Sequence, residues 1–522
     1  MPAAAAAERS SGTVPGGASA LRSAALLIAL CAAVRPAAAA PPAPPPLGPF
    51  ALLKDYSGQA FFDGFEFFVG NDPTKGCVDF VNESTALATG LAGVDAASGQ
   101  VFMRVDHTGA ASASAAAALD AAAAAPPVRR RSVRVTSASS YDPKNISSGG
   151  ASSGGGSGAV LTVLDLAHMP TGCATWPAFW MDSGKGKWPQ FGEIDIIEGV
   201  HDTTRTQTTL HTTLGCQQSE VPTDSFTGEW KTRPAGGGPA TNCYIHAYSP
   251  KGNLGCPIGG PPESMGAPFN TNGGGIYAML WTHHAHAAAN DEAAGGRARA
   301  SAGASASGPS GEKSMWFFDR EHIPADLKPH LAPPPPAAAA SSAAAAEEED
   351  LEVVEEVAPP PDPSSWGKPY AQFWSDATLC PAAHFEEQRI IFDITLCGGW
   401  AGGTFAAACP AFAPANATTA ESHAACEAFV ANNPAAFAEA YWTINSLKIF
   451  TTGKTSGGGS DGGGGVFVGG RGGEDGEVHA TLASGRSLLQ ELGGEDEELH
   501  QVHVHREKRE LPLRFPYSMH QC

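Results

Sequence analysis

The stretch Gln388-Arg-Ile-Ile-Phe-Asp-Ile-Thr-Leu-Cys397 places Ile390, Phe392, Ile394 and Leu396 on one parity and Ile391, Asp393, Thr395 and Cys397 on the other. Successive side chains of a strand point to opposite faces, so this segment presents one wholly apolar face and one mixed face. The same period runs through Phe61–Val69, where Phe61, Phe65, Phe67 and Val69 share a parity. Further strand candidates are Gln100–Asp106, Ser132–Thr136, Val160–Leu166, Glu193–Glu198, Thr206–Thr212, Gly275–Thr282, Met315–Phe318 and Tyr441–Phe450. Many short strands with turn residues between them, and no long helical period, predict an all-β fold. The expected architecture is an antiparallel two-sheet sandwich of jelly-roll type.

Between these strands the composition changes. The 522 residues include 62 Gly and 42 Pro, and alanine runs such as Ala121–Ala125 inflate the hydrophobic share, so part of the chain is not packed core. Patches near 110–127, 147–158, 287–311 and 331–361 lack the large apolar residues that offset the entropy of ordering. They read as insertions within one domain, 41–452, and not as linkers between several. Residues 453–522 are Gly-rich and then acidic, and are expected to form a mostly disordered tail. The balance of 32 Lys and Arg against 53 Asp and Glu gives −21, which argues against nucleic acid as a partner.

Residues 1–40 carry Arg9 and Arg22, an apolar stretch Ala24–Val34, and small residues Ala38–Ala40 suited to cleavage. This predicts a secretory signal peptide, because a membrane span needs about 20 apolar residues and neither this stretch nor any later one supplies them. Outside the signal stand ten cysteines, Cys77, Cys173, Cys216, Cys243, Cys256, Cys380, Cys397, Cys409, Cys426 and Cys522. An even count in an exported chain predicts disulfides without fixing their connectivity. Sequons at Asn82, Asn145 and Asn416 fit the same context. The mature chain is therefore expected to be extracellular, in a cell wall or matrix or free, and to act as a monomer.

The most informative segment for chemistry is Trp188-Pro-Gln-Phe-Gly-Glu193-Ile-Asp195-Ile-Ile-Glu198-Gly. Three carboxylates within six residues repel on a strand face, so packing alone does not account for them. Strand parity puts Glu193 and Asp195 on one face and turns Glu198 away. A one-residue bulge at Ile196–Ile197 would bring all three acids to the same face. Four effective residues at ~3.3 Å rise then separate the two glutamate Cα atoms by ~13 Å, and inward-leaning side chains bring the carboxyls to roughly 5–6 Å. That spacing suits a glycosidase that retains anomeric configuration; an inverting one needs ~6.5–9.5 Å.

At these residues the sequence resembles glycoside hydrolase family 16, in particular its laminarinase-like endo-β-1,3(4)-glucanases. The resemblance extends through Phe61-Phe-Asp-Gly-Phe, Leu164-Asp-Leu-Ala-His-Met-Pro, Thr175-Trp-Pro-Ala-Phe-Trp, Thr209-Leu-His-Thr, Pro268-Phe-Asn-Thr-Asn-Gly and Tyr441-Trp-Thr-Ile-Asn, in the family's order. It implies a jelly roll with a concave cleft for a β-glucan polysaccharide and no redox or nucleotide cofactor. By the same resemblance Glu193 is the nucleophile, Glu198 the general acid/base, and Asp195 a helper that tunes the nucleophile. Trp176 and Trp188 match cleft positions whose indole faces suit the C–H faces of glucose. His211 matches a cleft histidine, and Trp281 a substrate contact, although Leu280 precedes it where relatives carry an acid. No metal ligands are assigned: the groups His283, His284, His286 and His500, His503, His505 border low-complexity sequence and suggest adventitious affinity. Two other readings use the same fold, a non-catalytic β-glucan-binding protein and a transglycosylase.

Overall fold

The apolar parities assemble two sheets face to face in a computed structural model describing residues 47–109, 112–113, 128–147, 157–284, 309–331, 358–452 and 454–455. The expected signal peptide, most of each insertion and all of the tail except Lys454–Thr455 lie outside the described residues. One sheet runs Ala371–Ser375, Gly311–Asp319, Gly275–His283, Gly158–His168, Tyr441–Thr451, Val101–Arg104, Ala92–Val94, with Ala51–Tyr56 also paired to Tyr441–Thr451. The other runs Glu229–Trp230, Ile258–Gly259, Gln207–His211, Glu193–Glu198, Thr175–Ser183, Gln388–Leu396, Arg134–Tyr141, Phe65–Phe67. Their strands pair antiparallel, as a jelly-roll sandwich requires.

The core between the sheets is the parity pattern made physical. Ile390, Phe392, Ile394 and Leu396 are buried inward with Phe179 and Met181 of the neighbouring strand, and the Phe179 and Phe392 rings lie 4.6 Å apart. The opposite sheet contributes Val160, Leu164, Tyr277, Met279, Trp442 and Ile444 to the same cluster. Strand Gly275–His283 is buried on both faces, because Ile276, Ala278 and Leu280 meet Trp316, Leu327 and Trp366 in a second cluster.

Three elements depart from the sequence reading. The period-two pattern of Phe61–Val69 forms a strand only at Phe65–Phe67; Gly58–Gly64 is mostly 3-10 turn, which still stacks Phe61 on Phe65 at 4.7 Å, while Val69 is exposed. A strand at Thr175–Ser183 sits mid-sheet despite Pro177. Its pairing with Glu193–Glu198 ends at Ala178↔Glu198, so the missing N–H falls just past that ladder. A helix at Thr419–Asn432 carries no apolar stripe beyond Cys426, Phe429 and Val430. It starts instead on a capping box between Thr418 and Glu421 and is tied down by Cys397–Cys426. The other disulfides are Cys173–Cys409, Cys216–Cys380 and Cys243–Cys256; Cys77 is buried in the core outside these four bridges, and Cys522 lies outside the described residues.

The one-residue bulge expected in the acidic strand is present. Trp180 pairs with Asp195 and Phe179 with Ile197, so Ile196 is the extra residue. On the other side Asp195 pairs with Thr209 and Glu198 with Gln207, again one residue out of step. Ile194, Ile196 and Ile197 all stay in the core as a result. The Ile196 carbonyl, displaced from the regular ladder, accepts hydrogen bonds from the hydroxyls of Thr208 (3.0 Å) and Tyr370 (3.2 Å), which are themselves 2.7 Å apart. All three groups are buried. Tyr370→Phe should therefore cost about 1–3 kcal/mol by leaving buried polar groups short of a partner. Urea denaturation measures this, and unchanged stability would show that the hydroxyl pair does not hold the bulge.

Candidate active site

The glutamates reach a common face through two local devices. Gly192 has φ +76°, and a Cβ there would come within 2.4 Å of the His384 carbonyl and 2.5 Å of the Phe385 ring, so only glycine turns the chain from Trp188 into the strand. The bulge then makes Glu193 and Glu198 face His211 and Gln207, four residues apart on the next strand, with Asp195 between them. This is the register of four effective residues that the spacing argument needs.

Each carboxyl has its own partners. Trp188 Nε1 donates to Glu193 Oε2 at 2.7 Å, and Trp176 Nε1 donates to Glu198 Oε1 at 2.9 Å. His211 Nε2 lies 3.2 Å from Asp195 Oδ2 and 3.8 Å from Glu193 Oε1. Asp195, 3% exposed, has no well-directed hydrogen bond to Oδ2 among the described residues.

Burial and mutual repulsion govern protonation here. Burial, then the charge of Asp195, pushes Glu193 well above the usual carboxyl range, with His211 opposing. Burial, then Asp393 and Asp182, raises Asp195 in the same way. Burial and the Asp195 charge push Glu198 up to about 8, against the pull of His211 and of the Trp176 N–H. The site thus resists carrying three charges at once, and Glu198 holds its proton at neutral pH. Burial raises all three, so the carboxyls titrate as a coupled set; with one glutamate ionised and the other protonated, each held by an indole N–H, the pair has the makings of a nucleophile or base and an acid.

Trp188, 43% exposed, stands beside the acids, its ring 6.5 Å from that of His211. Trp176, His211, Glu193, Asp195 and Glu198 share this face with it. Trp281 does not: it is 3% exposed and inward-facing on the other sheet, opposite Lys313. Its parity with Tyr277 and Met279 commits it to the core, so the expected substrate contact is corrected to a packing role. Trp180, by contrast, faces the acids with Arg134 5.0 Å over its ring.

Three residues absent from the sequence assignment belong to the site. Asp393 faces the acids, and burial pushes it up to about 7 despite Arg134. Asp182 is raised to about 6 by burial, opposed by Arg134 and Arg389. The signal for Asp393 was its parity, a buried acid among Ile391 and Thr395 on the mixed face. Trp400 stands edge-to-face with Trp176 at 5.7 Å, on a turn after the strand that no periodicity marks. Trp400 also helps line a cavity of about 570 Å³ beside Glu198, together with Gln207, Arg205, Lys231 and Thr404.

The Trp176 N–H stabilises the charged form of Glu198, so removing it raises the pKa. Trp176→Phe should move the Glu198 titration above 8, as read from the 13C carboxyl shift across pH. A titration that stays put or falls would show that the indole does not tune this group.

Comparison with known proteins places these residues in context. The model of the XgeA-like catalytic domain of glycoside hydrolase family 16 (GH16) matches residues 65–287 and 352–450. A probable endo-1,3(4)-β-glucanase of Aspergillus niger is 33% identical over 406 residues, 77% of this chain but only 40% of that protein's length. A probable glycosidase of Schizosaccharomyces pombe is 30% identical over 77% of this chain and 69% of its own length. Among solved structures, an elongating family 16 β-1,3-glucosyltransferase superposes with TM-score 0.53 at 30% identity, over 77% of this chain and 99% of that one. Laminarinase 16A of Phanerochaete chrysosporium, solved with 6-O-glucosyl-laminaritriose in donor and acceptor sites, gives 0.52 at 29% identity with the same coverage. The family model spans more than half of the chain and its two segments carry every carboxyl of the site, so the chain belongs to glycoside hydrolase family 16.

Proposed function

We propose that this chain hydrolyses internal linkages of β-1,3- or mixed β-1,3/1,4-glucan with retention of configuration. The observation that carries the reading is the bulge register, which sets Glu193 and Glu198 four positions apart on one face. In this reading Glu193 attacks the anomeric carbon while Glu198 gives its proton to the leaving oxygen. Ionised after that transfer, Glu198 then takes a proton from water as the water displaces Glu193. Asp195 and His211 hold and tune the nucleophile, and Trp188 orients it through the indole hydrogen bond while offering its exposed face to a sugar. No cofactor enters these steps. The names of the similar proteins, glucanases and a laminarinase bound to β-glucan oligosaccharides, support the substrate class.

A second reading is transfer to another sugar instead of water, for which the cavity beside Glu198 offers room for an acceptor. At about 570 Å³ it has the size of a ligand pocket, and it lies next to the group that would deprotonate an acceptor. The same glycosyl-enzyme serves both outcomes, and the similarity to an elongating glucosyltransferase points the same way. Export to an oxidising compartment, with removal of residues 1–40 and glycosylation, is supported by four disulfides and by the exposure of Asn82, Asn145 and Asn416. Among the described residues no helix is long and apolar enough to cross a membrane. Residues 41–452 would form the catalytic domain, acting as a monomer.

Catalytic replacements test the mechanism. Glu193→Ala should abolish turnover even of a β-glucan oligomer with an acidic phenol leaving group, because no covalent intermediate forms. Glu198→Ala should still release that phenol and then stall, and azide, needing no deprotonation, should restore turnover as a β-configured glycosyl azide. An α-configured azide, or rescue of the Glu193 variant instead, would sink the assignment.

The acid must be protonated to work, so its loss of a proton limits activity on the alkaline side. On an unactivated laminarin, kcat/KM should fall as pH rises through about 8, the value to which Glu198 is pushed. That alkaline limb should disappear in the Glu198→Ala variant acting on the activated substrate. A limb that persists there belongs to another group.

A further inference from the structure

We infer that Glu193, Asp195 and His211 together form a three-ligand site for a first-row divalent cation, zinc in particular, which competes with glucan for the catalytic face. Each residue offers one donor atom, and these atoms all lie within 4.8 Å of one another. A tetrahedral zinc with bonds of about 2.0–2.2 Å has donor–donor edges of about 3.3–3.5 Å. The edges from His211 Nε2 measure 3.2 Å to Asp195 Oδ2 and 3.8 Å to Glu193 Oε1, so small side-chain adjustments close the set.

Asp195 Oδ2 is an independent sign. It is buried, and its contact with His211 Nε2 at 3.2 Å is not aligned as a hydrogen bond, although the two atoms face each other. Two buried donor atoms that face each other without a well-directed hydrogen bond are poorly satisfied, and a cation bound by both would satisfy them together. Glu193 keeps Oε1 for the metal, since Trp188 already binds Oε2. Three protein ligands leave the fourth position for water or a sugar hydroxyl.

The donor set selects the ion. One imidazole and two carboxylates suit zinc or copper(II), whereas calcium and magnesium prefer six or more oxygens. Zinc sites that hold their metal permanently anchor the second imidazole nitrogen to an acceptor, but His211 Nδ1 has no hydrogen-bond partner among the described residues. Binding is therefore reversible, an off-state and not a resident cofactor. While bound, the metal occupies the lone pair with which Glu193 would attack.

The test uses the full mature chain, stripped with EDTA and dialysed. Isothermal titration with ZnCl2 should give one reversible site, and cobalt(II) should give the visible bands of a tetrahedral complex. His211→Gln and Asp195→Asn should each weaken binding by about 100-fold or more, the loss expected when a ligand is removed. Replacing His500, His503 and His505 by Gln should leave it unchanged. Circular dichroism establishes that each variant is folded, and two independent ligand variants keep a failure of either from deciding the matter. Zinc affinity that survives both ligand variants, or that disappears with the tail histidines, overturns the proposal.

These binding arms stand without the glucanase reading; the inhibition arm rests on it. Zinc should raise KM for laminarin with kcat unchanged, calcium and magnesium at the same concentration should not, and EDTA should reverse the effect. Bound zinc that leaves the kinetics untouched overturns the competition while sparing the site, and inactivity of the metal-free chain on every glucan overturns the functional reading alone.

Discussion

One residue out of step governs this molecule. The strand Glu193–Glu198 must bury three isoleucines in a sandwich core and present three carboxyls on the opposite face, and a regular strand of period two cannot do both. The extra residue at Ile196 resolves the conflict by letting two consecutive isoleucines turn inward. Its cost is a carbonyl outside the ladder, and Tyr370 and Thr208 reach that carbonyl from outside the acidic strand. The hydroxyl of Tyr370 comes from the segment that leads into Ala371–Ser375, in the other sheet, so the geometry of the acids depends on both layers of the sandwich.

The electrostatics follow from the same arrangement. Once the acids are on one face of a central strand, the two strands on one side of it add Asp182 and Asp393, and Arg134 and Arg389 act on those flanking acids. The central carboxyls are left with indole N–H donors and one imidazole. Burial therefore prevails over compensation, which is the condition for a carboxylic acid to survive at neutral pH.

Much of this was legible in the residues. The parity of Ile390 to Leu396 gives the sheet, and the spacing of Glu193, Asp195 and Glu198 points to a one-residue bulge as the change that aligns them. Trp281 shows where such reading stops. Its neighbourhood in sequence matches a substrate contact, but its strand lies in the sheet opposite the acids, with one face in the core and the other under Trp316 and Trp366, and that sheet assignment cannot be read from a local motif. Trp400 and Asp182 were invisible for a related reason: each matters only through a neighbour brought near by folding, Trp176 in one case and the arginines in the other. The helix Thr419–Asn432 escaped because its stability comes from a cap and a disulfide, not from an apolar stripe.

The hairpin of Gly275–His283 and Gly311–Asp319 bears on how the chain tolerates its low-complexity sequence. Beyond the paired residues the two arms still meet, with the His284 N–H donating to the Ser310 carbonyl at 2.7 Å. The register is thus locked before the intervening segment begins. Lengthening a loop whose ends are already clamped adds only a logarithmic closure entropy, roughly 0.6 kcal/mol per doubling. Residues added to or removed from that segment therefore leave the alignment of the sheet beneath it unchanged.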